Sequence, residues 1–304
     1  MKGIILAAGK GSRLYPVTHG ICKTLLPVYN KPMIYYSLST LMLAKITEIL
    51  IISCDSFIES FENLLGDGTH LGISLSYKVQ DKPDGIAQAF HIGEDFIGDD
   101  SVCLILGDNL FYGHRLPEIL SDSKKKIENG CGAVTFGYSV SNPENYGVAE
   151  ISDGNIISIV EKPTNPKSNW AVVGLYMYNN DVINISKSIT PSERGELEIT
   201  TVNQVYIKNK NLEITTMGRG YTWFDTGNPE DLFSASSFVR MIENRQGLKI
   251  ACLEEIAYYM GYVGLEDIAR IARDLSGTDY GKYLSKLVED ELTGKEGVFK
   301  YDQK

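Results

Sequence analysis

Residues 4–14 read IILAAGKGSRL, an apolar run that leads into a loop with glycines at positions 9 and 11. A buried strand followed by such a loop is typical of a phosphate-binding edge of an α/β sheet, because bared backbone N–H groups can cradle phosphates. The Rossmann fingerprint does not fit, since Leu14 occupies its third glycine position, and the Walker loop needs Ser or Thr where Gly11 stands. The remaining pattern is G-x-G-x-R, in which Arg13 offers a fork of donors to a polyphosphate.

Outward from this loop, short β-rich runs alternate with amphipathic helical runs, which predicts βαβ units in an α/β fold. After Gly130 the rhythm changes to short strands, with a hairpin turn signal at Asp153 and Gly154 that predicts an inserted antiparallel region. From Asp231 onward the chain reads as helical. We therefore expect a Rossmann-like, mostly parallel central sheet covered by helices, and we divide the chain into a catalytic domain (1–230) and a C-terminal helical segment (231–304).

Composition narrows the classes of partner. The chain has 304 residues and a net charge of −10, which argues against a surface for nucleic acid or anionic lipid. A phosphate site must therefore be a local basic pocket. The apolar run before Gly9 is too short for a signal peptide, and no membrane span is predicted. The five cysteines are dispersed and form no C-x-x-C pair, which favours a reducing cytoplasm over a disulfide framework or a zinc site.

Three charged side chains follow predicted strands or the glycine loop. Asp108 ends the apolar run 102–106, and Asp225 follows a second short strand; carboxylates at the carboxyl edge of a sheet suit a hard cation. Lys23 would join them if the connection folds back over the loop. A turn or helix cap remains the alternative for each aspartate, as does a surface position for the lysine. The four histidines have no triad spacing, so nucleophilic catalysis lacks support.

Taken in order, these pieces and several others resemble the sugar-nucleotide pyrophosphorylases. The shared motifs span residues 1 to about 283, nearly the whole chain. They lie at residues 9–14, 23–27, 31–36, 80, 84–89, 106–114, 146–148, 161–163, 174–176, 194–200, 218–220 and 225–227. The resemblance implies the nucleotide-diphospho-sugar transferase type of fold, and it is closest to members that use dTTP and glucose 1-phosphate in deoxysugar and polysaccharide synthesis.

The resemblance also implies a reaction, in which a sugar 1-phosphate attacks the α-phosphorus of a nucleoside triphosphate and releases pyrophosphate. Such a reaction needs positioning and charge neutralisation rather than a protein nucleophile. The implied catalytic residues are Arg13, Lys23 and Lys162. The implied nucleotide-binding residues are Ala8, Gly9, Gly11, Ser12, Arg13, Gln80, Gly85 and Asp108. The implied sugar-phosphate-binding residues are Tyr146, Gly147, Glu161, Lys162, Val173 and Arg194. Mg²⁺ is the implied cofactor, held by Asp108 and Asp225.

Members of this type form homotetramers with a secondary nucleotide-sugar site, and the matching residues are His114, Arg219, Glu255 and Ile256. Two departures from the pattern bear on specificity. Thr24 stands where members that use dTTP carry glutamine, which keeps a uridylyltransferase as an alternative. Val173 replaces a usual threonine near the sugar pocket, which keeps a thymidylyltransferase for another sugar 1-phosphate as a further alternative. The alternative from another class is a nucleotide-sugar-binding regulator without turnover.

Overall fold

The computed structural model describes residues 1–294. Its strands are β1 (Lys2–Leu6), β2 (Pro27–Val28), β3 (Lys31–Pro32), β4 (Glu48–Ser53), β5 (Ser74–Val79), β6 (Val102–Leu106), β7 (Asn109–Gly113), β8 (Ala133–Ser139), β9 (Gly147–Ser152), β10 (Asn155–Glu161), β11 (Trp170–Tyr178), β12 (Leu212–Met217) and β13 (Tyr221–Asp225). Its α-helices are α1 (Ile34–Leu43), α2 (Asp55–Leu65), α3 (Gln88–Ile92), α4 (Glu94–Ile97), α5 (Leu116–Glu128), α6 (Val182–Ser188), α7 (Ile199–Lys208), α8 (Pro229–Gln246), α9 (Leu253–Tyr259), α10 (Leu265–Asp274) and α11 (Asp279–Leu292). Within residues 1–294, no helix has the length and apolarity needed to cross a bilayer.

A nine-stranded sheet carries the fold. Its first half is parallel, because β1 pairs with β4 on one side and β6 on the other, and β4 pairs with β5. The parallel pairs place the carboxyl ends of β1, β4, β5 and β6 at one edge, where an open α/β sheet binds ligands. The predicted α/β fold with a central parallel sheet is confirmed.

Both faces of the parallel half of the sheet are covered by helices, as expected for parallel strands. Along β1 the side chains alternate between two clusters: Ile5 packs with α1, α2, α5 and α9, while Ile4 packs with α3, α6 and α7. Ile4 and Ile5 both have no exposed surface. This double covering holds the loop after β1 at the edge of a rigid layer.

The second half of the sheet is largely antiparallel, as predicted. β9 and β10 form a hairpin whose turn residues, Asp153 and Gly154, have φ values of 50° and 78°, which is the signature of a type I′ turn. β11 pairs antiparallel with β6, β8 and β9, so it joins this region to the parallel half. A separate two-stranded ribbon forms where β7 pairs with β13.

The chain is helical from α8 onward, as predicted for the C-terminal segment. Ala235 and Val239 of α8 pack in a cluster with Leu26 and Val28 of the β2 region and Leu110 of β7. The helices α9, α10 and α11 form a further cluster. Residues 295–304 of the predicted segment lie outside the described residues, and the division at residue 230 stays a prediction.

Candidate active site

The loop after β1 folds back on itself, so that Thr18 contacts Gly11. Gly11 has the left-handed φ of 61°, and a Cβ there would lie 2.8 Å from Cγ2 of Thr18, so glycine is required on both counts. The Thr18 hydroxyl donates to the Gly11 carbonyl at 2.8 Å. Ala8 is buried, whereas Ser12 and Arg13 are exposed. The loop is thus open to solvent from Gly9 onward, and the predicted residues Gly9, Gly11, Ser12 and Arg13 lie on this accessible stretch.

Lys23 and Asp108 form an ion pair beneath this loop. The lysine Nζ donates to Oδ2 of Asp108, and the two side chains are 16% and 9% exposed. Burial opposes the charge on Asp108, but Lys23 outweighs it, so the pKa of Asp108 is lowered. Burial likewise opposes the charge on Lys23, and Asp108 outweighs it, so the pKa of Lys23 is raised. Both groups are therefore charged, and their burial against each other excludes the surface alternative for Lys23.

Asp225 lies next to this pair at the end of β13. Its backbone neighbour Thr226 donates an N–H to the Asp108 carbonyl at 3.0 Å. Burial and the negative charge of Asp108 raise the pKa of Asp225 to about 6. The Arg13 Nη2 lies 4.0 Å from Asp225 Oδ2, and a Cβ on Gly227 would come within 2.5 Å of that nitrogen. Glycine at position 227 therefore leaves room for the guanidinium over the aspartate.

Asn109, for which the sequence predicted no role, holds these elements together. Its Nδ2 donates to Asp108 Oδ1 at 3.1 Å. Its Oδ1 accepts from the Gly174 N–H at 3.1 Å and from Trp223 Nε1 at 2.7 Å. One buried amide thus ties β7 to β11 and β13 and fixes the plane of the Asp108 carboxylate. Its place directly after Gly107 and Asp108 could have marked Asn109 as a site residue. Its role could not be predicted, because its partners Gly174 and Trp223 are distant in sequence.

The two aspartates suit a divalent cation of the kind that also binds phosphate. Among residues 1–294, no three His, Cys, Asp or Glu side chains are grouped to form a cage for a metal. Mg²⁺ does not need one, because it is usually held by one or two carboxylates together with substrate phosphates and waters. Burial, and then the neighbouring Asp108 carboxylate, raise the pKa of Asp225, and a cation bound between the two carboxylates would favour the charged form of both. The donor set therefore fits.

The predicted base-binding residues lie at the carboxyl end of β5. The Gln80 N–H donates to the Ser53 carbonyl at 2.7 Å, and the Ser53 hydroxyl donates to the Ala7 carbonyl at 3.4 Å. This chain of contacts places Gln80 on the same sheet edge as the glycine loop. Gly85 has a φ of 112°, and a Cβ there would lie 2.4 Å from the Leu197 carbonyl oxygen.

The predicted sugar-phosphate residues form a second cluster at the ends of β10 and α7. Glu161 Oε2 accepts from the Thr200 hydroxyl at 2.6 Å, and its Oε1 lies 3.6 Å from Arg194 Nη2. Arg194 also binds Glu198, with Nη2 2.9 Å from each carboxylate oxygen. A Cβ on Gly147 would lie 3.3 Å from Glu161 Oε2, so this glycine keeps the carboxylate accessible. The structure thus brings Gly147, Glu161 and Arg194 together.

Three further residues were predicted to bind the sugar phosphate: Lys162, Tyr146 and Val173. Lys162 is exposed, with the left-handed φ of 42°, and its N–H donates to the Tyr146 carbonyl at 3.0 Å. The Tyr146 ring lies 5.1 Å from the Trp223 ring, and burial together with Asp225 raises the pKa of Tyr146 to about 12. Val173 has no exposed surface and packs in the core. Its burial leaves no side-chain surface for a sugar, so the structure does not support that predicted contact.

Thr24 is likewise fully buried. Its hydroxyl lies 3.3 Å from Cys22 Sγ, which in turn contacts the Ala7 carbonyl oxygen at 3.3 Å. Cys22 therefore links the Lys23 segment to the end of β1, and the Thr24 side chain, which contacts Cys22, has no exposed surface in the cleft.

A separate cavity of about 300 Å³ gathers three of the four residues predicted for a secondary site. His114, Glu255 and Ile256 line it, whereas Arg219 does not. Arg219 lies just before β13, whose Tyr221 pairs with Gly113 of β7 at the same end of the ribbon. Tyr283 donates to both oxygens of Glu255, at 2.9 and 2.8 Å.

The similarity of this chain to known proteins agrees with this geometry. A family described as nucleotidyl transferase matches residues 2–241. The chain is 51% identical over 95% of its length to a glucose-1-phosphate thymidylyltransferase of Neisseria meningitidis, which it covers completely. It is equally identical, over 95% of its length and 99% of the relative, to the enzyme of that name from Mycobacterium tuberculosis. Among solved structures, a Bacillus anthracis protein crystallised with sucrose under the same enzyme name matches with a TM-score of 0.73 and 43% identity, covering 79% of this chain and 95% of the other. A UDP-glucose pyrophosphorylase bound to UDP-glucose matches with a TM-score of 0.70 and 26% identity, covering 79% and 98%.

Proposed function

Because this chain belongs to the nucleotidyl transferase family, we propose that it is a glucose-1-phosphate thymidylyltransferase, which makes dTDP-glucose and pyrophosphate from dTTP and glucose 1-phosphate. The observation that carries this proposal is the arrangement of Arg13 and Lys23 against Asp108 and Asp225 at the carboxyl edge of the sheet. Two cations and two carboxylates in one cleft suit the transfer of a phosphoryl-linked group between anions.

The chemistry is a direct displacement. An oxygen of the sugar phosphate attacks the α-phosphorus of dTTP, and the bond from that phosphorus to the bridging oxygen breaks as pyrophosphate leaves. The attacking phosphate is already anionic, so no base has to remove a proton. The protein contributes position and charge, which accounts for a cleft of Arg, Lys and Asp side chains without a Ser–His pair.

The glycine loop and the carboxyl end of β5 form the nucleotide-binding side of the cleft. The N–H groups of Gly9, Gly11 and Ser12, with the Arg13 guanidinium, hold the triphosphate, and Ala8 supplies the buried start of the loop. Lys23 lies where it can neutralise charge that builds at the α-phosphate during transfer. Gln80 and Gly85 contact the base.

The sugar side uses the second cluster. Glu161 and Gly147 bind sugar hydroxyl groups, since the carboxylate is fixed by Thr200 and is left accessible by the glycine. Arg194 and Lys162 bind the sugar phosphate. Arg194 is held among glutamates, so its guanidinium is oriented before the anion arrives. Tyr146 lines the cleft between the two halves.

A divalent cation, which we propose to be Mg²⁺, would be held by Asp108 and Asp225. When bound, it supplies Lewis-acid charge neutralisation at the phosphates. Asn109 holds the Asp108 carboxylate in one plane for this purpose, and Lys23 contacts the other oxygen of the same group.

The test is pyrophosphate release with Mg²⁺ and glucose 1-phosphate, run in parallel against dTTP, UTP, CTP, ATP and GTP, with the nucleotide-sugar product identified by mass. We expect dTTP to give the highest kcat/KM. A preference for UTP would instead support the second candidate function, uridylyl transfer. The similarity to a UDP-glucose pyrophosphorylase favours this candidate. Calorimetric binding of dTTP without pyrophosphate release would support the binding-only alternative.

We also propose a secondary nucleotide-sugar site in the cavity of His114, Glu255 and Ile256, a homotetrameric assembly and a cytoplasmic location. The α8 helix supports an assembly, because Phe233 and Met241 expose 71% and 56% of their surface. Sedimentation velocity at micromolar concentration tests it: a mass near four times 33.7 kDa is expected, and a monomer would contradict the proposal.

A further inference from the structure

Three groups behind the proposed base site form one hydrogen-bonded unit: the side chains of Gln80 and Gln88 and the backbone of Asp84. Gln80 follows β5 and is 3% exposed. Its Nε2 donates to Oε1 of Gln88, the first residue of α3. The sequence predicted no role for Gln88, although this residue lies within one of the shared motifs.

The direction of these hydrogen bonds is fixed by a group that can only donate. The Asp84 backbone N–H is shared between the Lys82 carbonyl at 2.9 Å and the Gln88 amide at 3.2 Å, so the Gln88 atom that faces it must be the carbonyl oxygen. On the other side of the same amide, Nε2 of Gln88 donates to Asp84 Oδ2 at 3.4 Å. Gln80 must therefore present its NH₂ group to Gln88, and its own oxygen is turned away.

The Asp84 N–H is itself held in place. The Asp84 carbonyl accepts from the Leu197 N–H at 2.6 Å, and the Ala87 N–H donates to the Leu197 carbonyl at 3.1 Å. Gly85, between these two residues, has no room for a side chain against Leu197. The Asp84 backbone is thus held in place by the hydrogen bonds that residues 84–87 form with the backbone of Leu197.

The free end of Gln80 is an acceptor. Within the described part of the chain, Oε1 of Gln80 accepts no hydrogen bond. Thymine and uracil carry an N–H donor at N3, whereas cytosine carries a lone pair there. We propose that Gln88 is a specificity-determining positioning residue, which fixes the Gln80 amide with its oxygen toward the base and so selects pyrimidines that have an N3–H. This inference rests on the proposed function.

Two substitutions separate this role from simple packing. Gln88→Glu keeps an acceptor facing the Gln80 NH₂ group and the Asp84 N–H, so the Gln80 amide keeps its orientation. It replaces only the donor of the long contact with Asp84 Oδ2, which lies at an exposed position. Gln88→Met has similar size but offers only a weakly accepting thioether in place of the carbonyl oxygen, so the Gln80 amide is free to turn. We expect the ratio of kcat/KM for dTTP over dCTP to fall by about tenfold in Gln88→Met and to stay near the wild-type value in Gln88→Glu. The ratio of dTTP to UTP should not change in either variant, because both bases carry the N3–H.

The outcomes distinguish the two proposals. If the wild-type protein turns over dTTP and Gln88→Met keeps full discrimination against dCTP, the positioning role of Gln88 is wrong and the proposed function stands. If the wild type turns over no nucleotide, the proposed function fails, and calorimetric dissociation constants for dTTP and dCTP carry the same comparison between variants. Equal losses in Gln88→Met and Gln88→Glu, with matching losses in thermal stability, would show a packing role and overturn the inference.

Discussion

Asp225 lies directly opposite Asn109 in the ladder between β7 and β13. Asn109 in turn donates to the carboxylate of Asp108, its neighbour in sequence. The two-stranded ribbon therefore sets both proposed metal-binding carboxylates at the end of the parallel sheet.

Asp108→Asn should lower kcat by about 100-fold or more while the fold persists, because the cation loses a charged ligand and Lys23 loses its partner. Steady-state pyrophosphate release gives kcat, and far-UV circular dichroism checks the fold. Asp99→Asn, at an exposed position away from the site, is the matched control and should keep wild-type turnover. Near-normal turnover in Asp108→Asn would remove this residue from the metal site.

Asn109→Leu should lower the free energy of unfolding by about 2–5 kcal/mol, because the Trp223 Nε1 and Gly174 N–H would lose their acceptor in a buried place. Chemical denaturation measures this. The control Asn129→Leu, at an exposed helix end, should change stability by less than about 0.5 kcal/mol. Equal effects of the two substitutions would show that the Asn109 contacts contribute little.

Gly85→Ala should destabilise the protein and weaken dTTP binding together. Its φ of 112° and its approach to the Leu197 carbonyl oxygen both exclude a side chain. Gly154→Ala is a matched control, because its φ is 78° but nothing lies within 4 Å of the added atom. The control should cost only the backbone strain, about 1–2 kcal/mol, and should leave the KM for dTTP unchanged. A Gly85→Ala protein with wild-type dTTP affinity would contradict this.

Glu255 should make stability fall as pH rises. Burial raises the pKa of Glu255 to about 7, and repulsion from Glu243 and Glu254 adds to this rise. The hydrogen bonds from Tyr283 and the positive charge of Lys31 lower the pKa and offset part of it. The folded state therefore holds a proton that the unfolded state releases, so this contribution is present below pH 4.5, the ordinary pKa of a glutamate, and is lost as pH passes 7. We expect unfolding free energy in Glu255→Gln to fall less steeply between pH 4.5 and 7 than in wild type. Parallel curves would show that Glu255 is already ionised.

Much of the fold could be predicted from local pattern. Apolar, β-rich runs predict strands at 48–53, 102–106, 170–178 and 212–217. The structure has β4, β6, β11 and β12 at these positions, so these bounds are confirmed. The helix α2 was not predicted, because only two of its side chains, Phe61 and Leu65, are fully buried and its apolar face is therefore narrow. The sequence also predicts a helix over residues 85–92. The helix begins at Gln88 instead, because the backbone of residues 84–87 forms hydrogen bonds with Leu197.

The site was predictable where chain order alone brings residues together. The carboxyl ends of neighbouring parallel strands must meet, which placed Asp108 near the glycine loop. The contacts of Asn109 with Gly174 and Trp223 join residues 65 and 114 positions apart. They depend on β11 lying beside β6 and on β13 pairing with β7, and no local pattern specifies either pairing.

In the proposed reaction the nucleotidyl group passes directly from dTTP to glucose 1-phosphate, without a covalent protein intermediate. The most direct test uses dTTP made chiral at the α-phosphorus by sulfur substitution, with the configuration of the dTDP-glucose analogue read by ³¹P NMR. A single in-line displacement predicts inversion at phosphorus. Retention of configuration, or the absence of any nucleotide-sugar product, would contradict direct transfer.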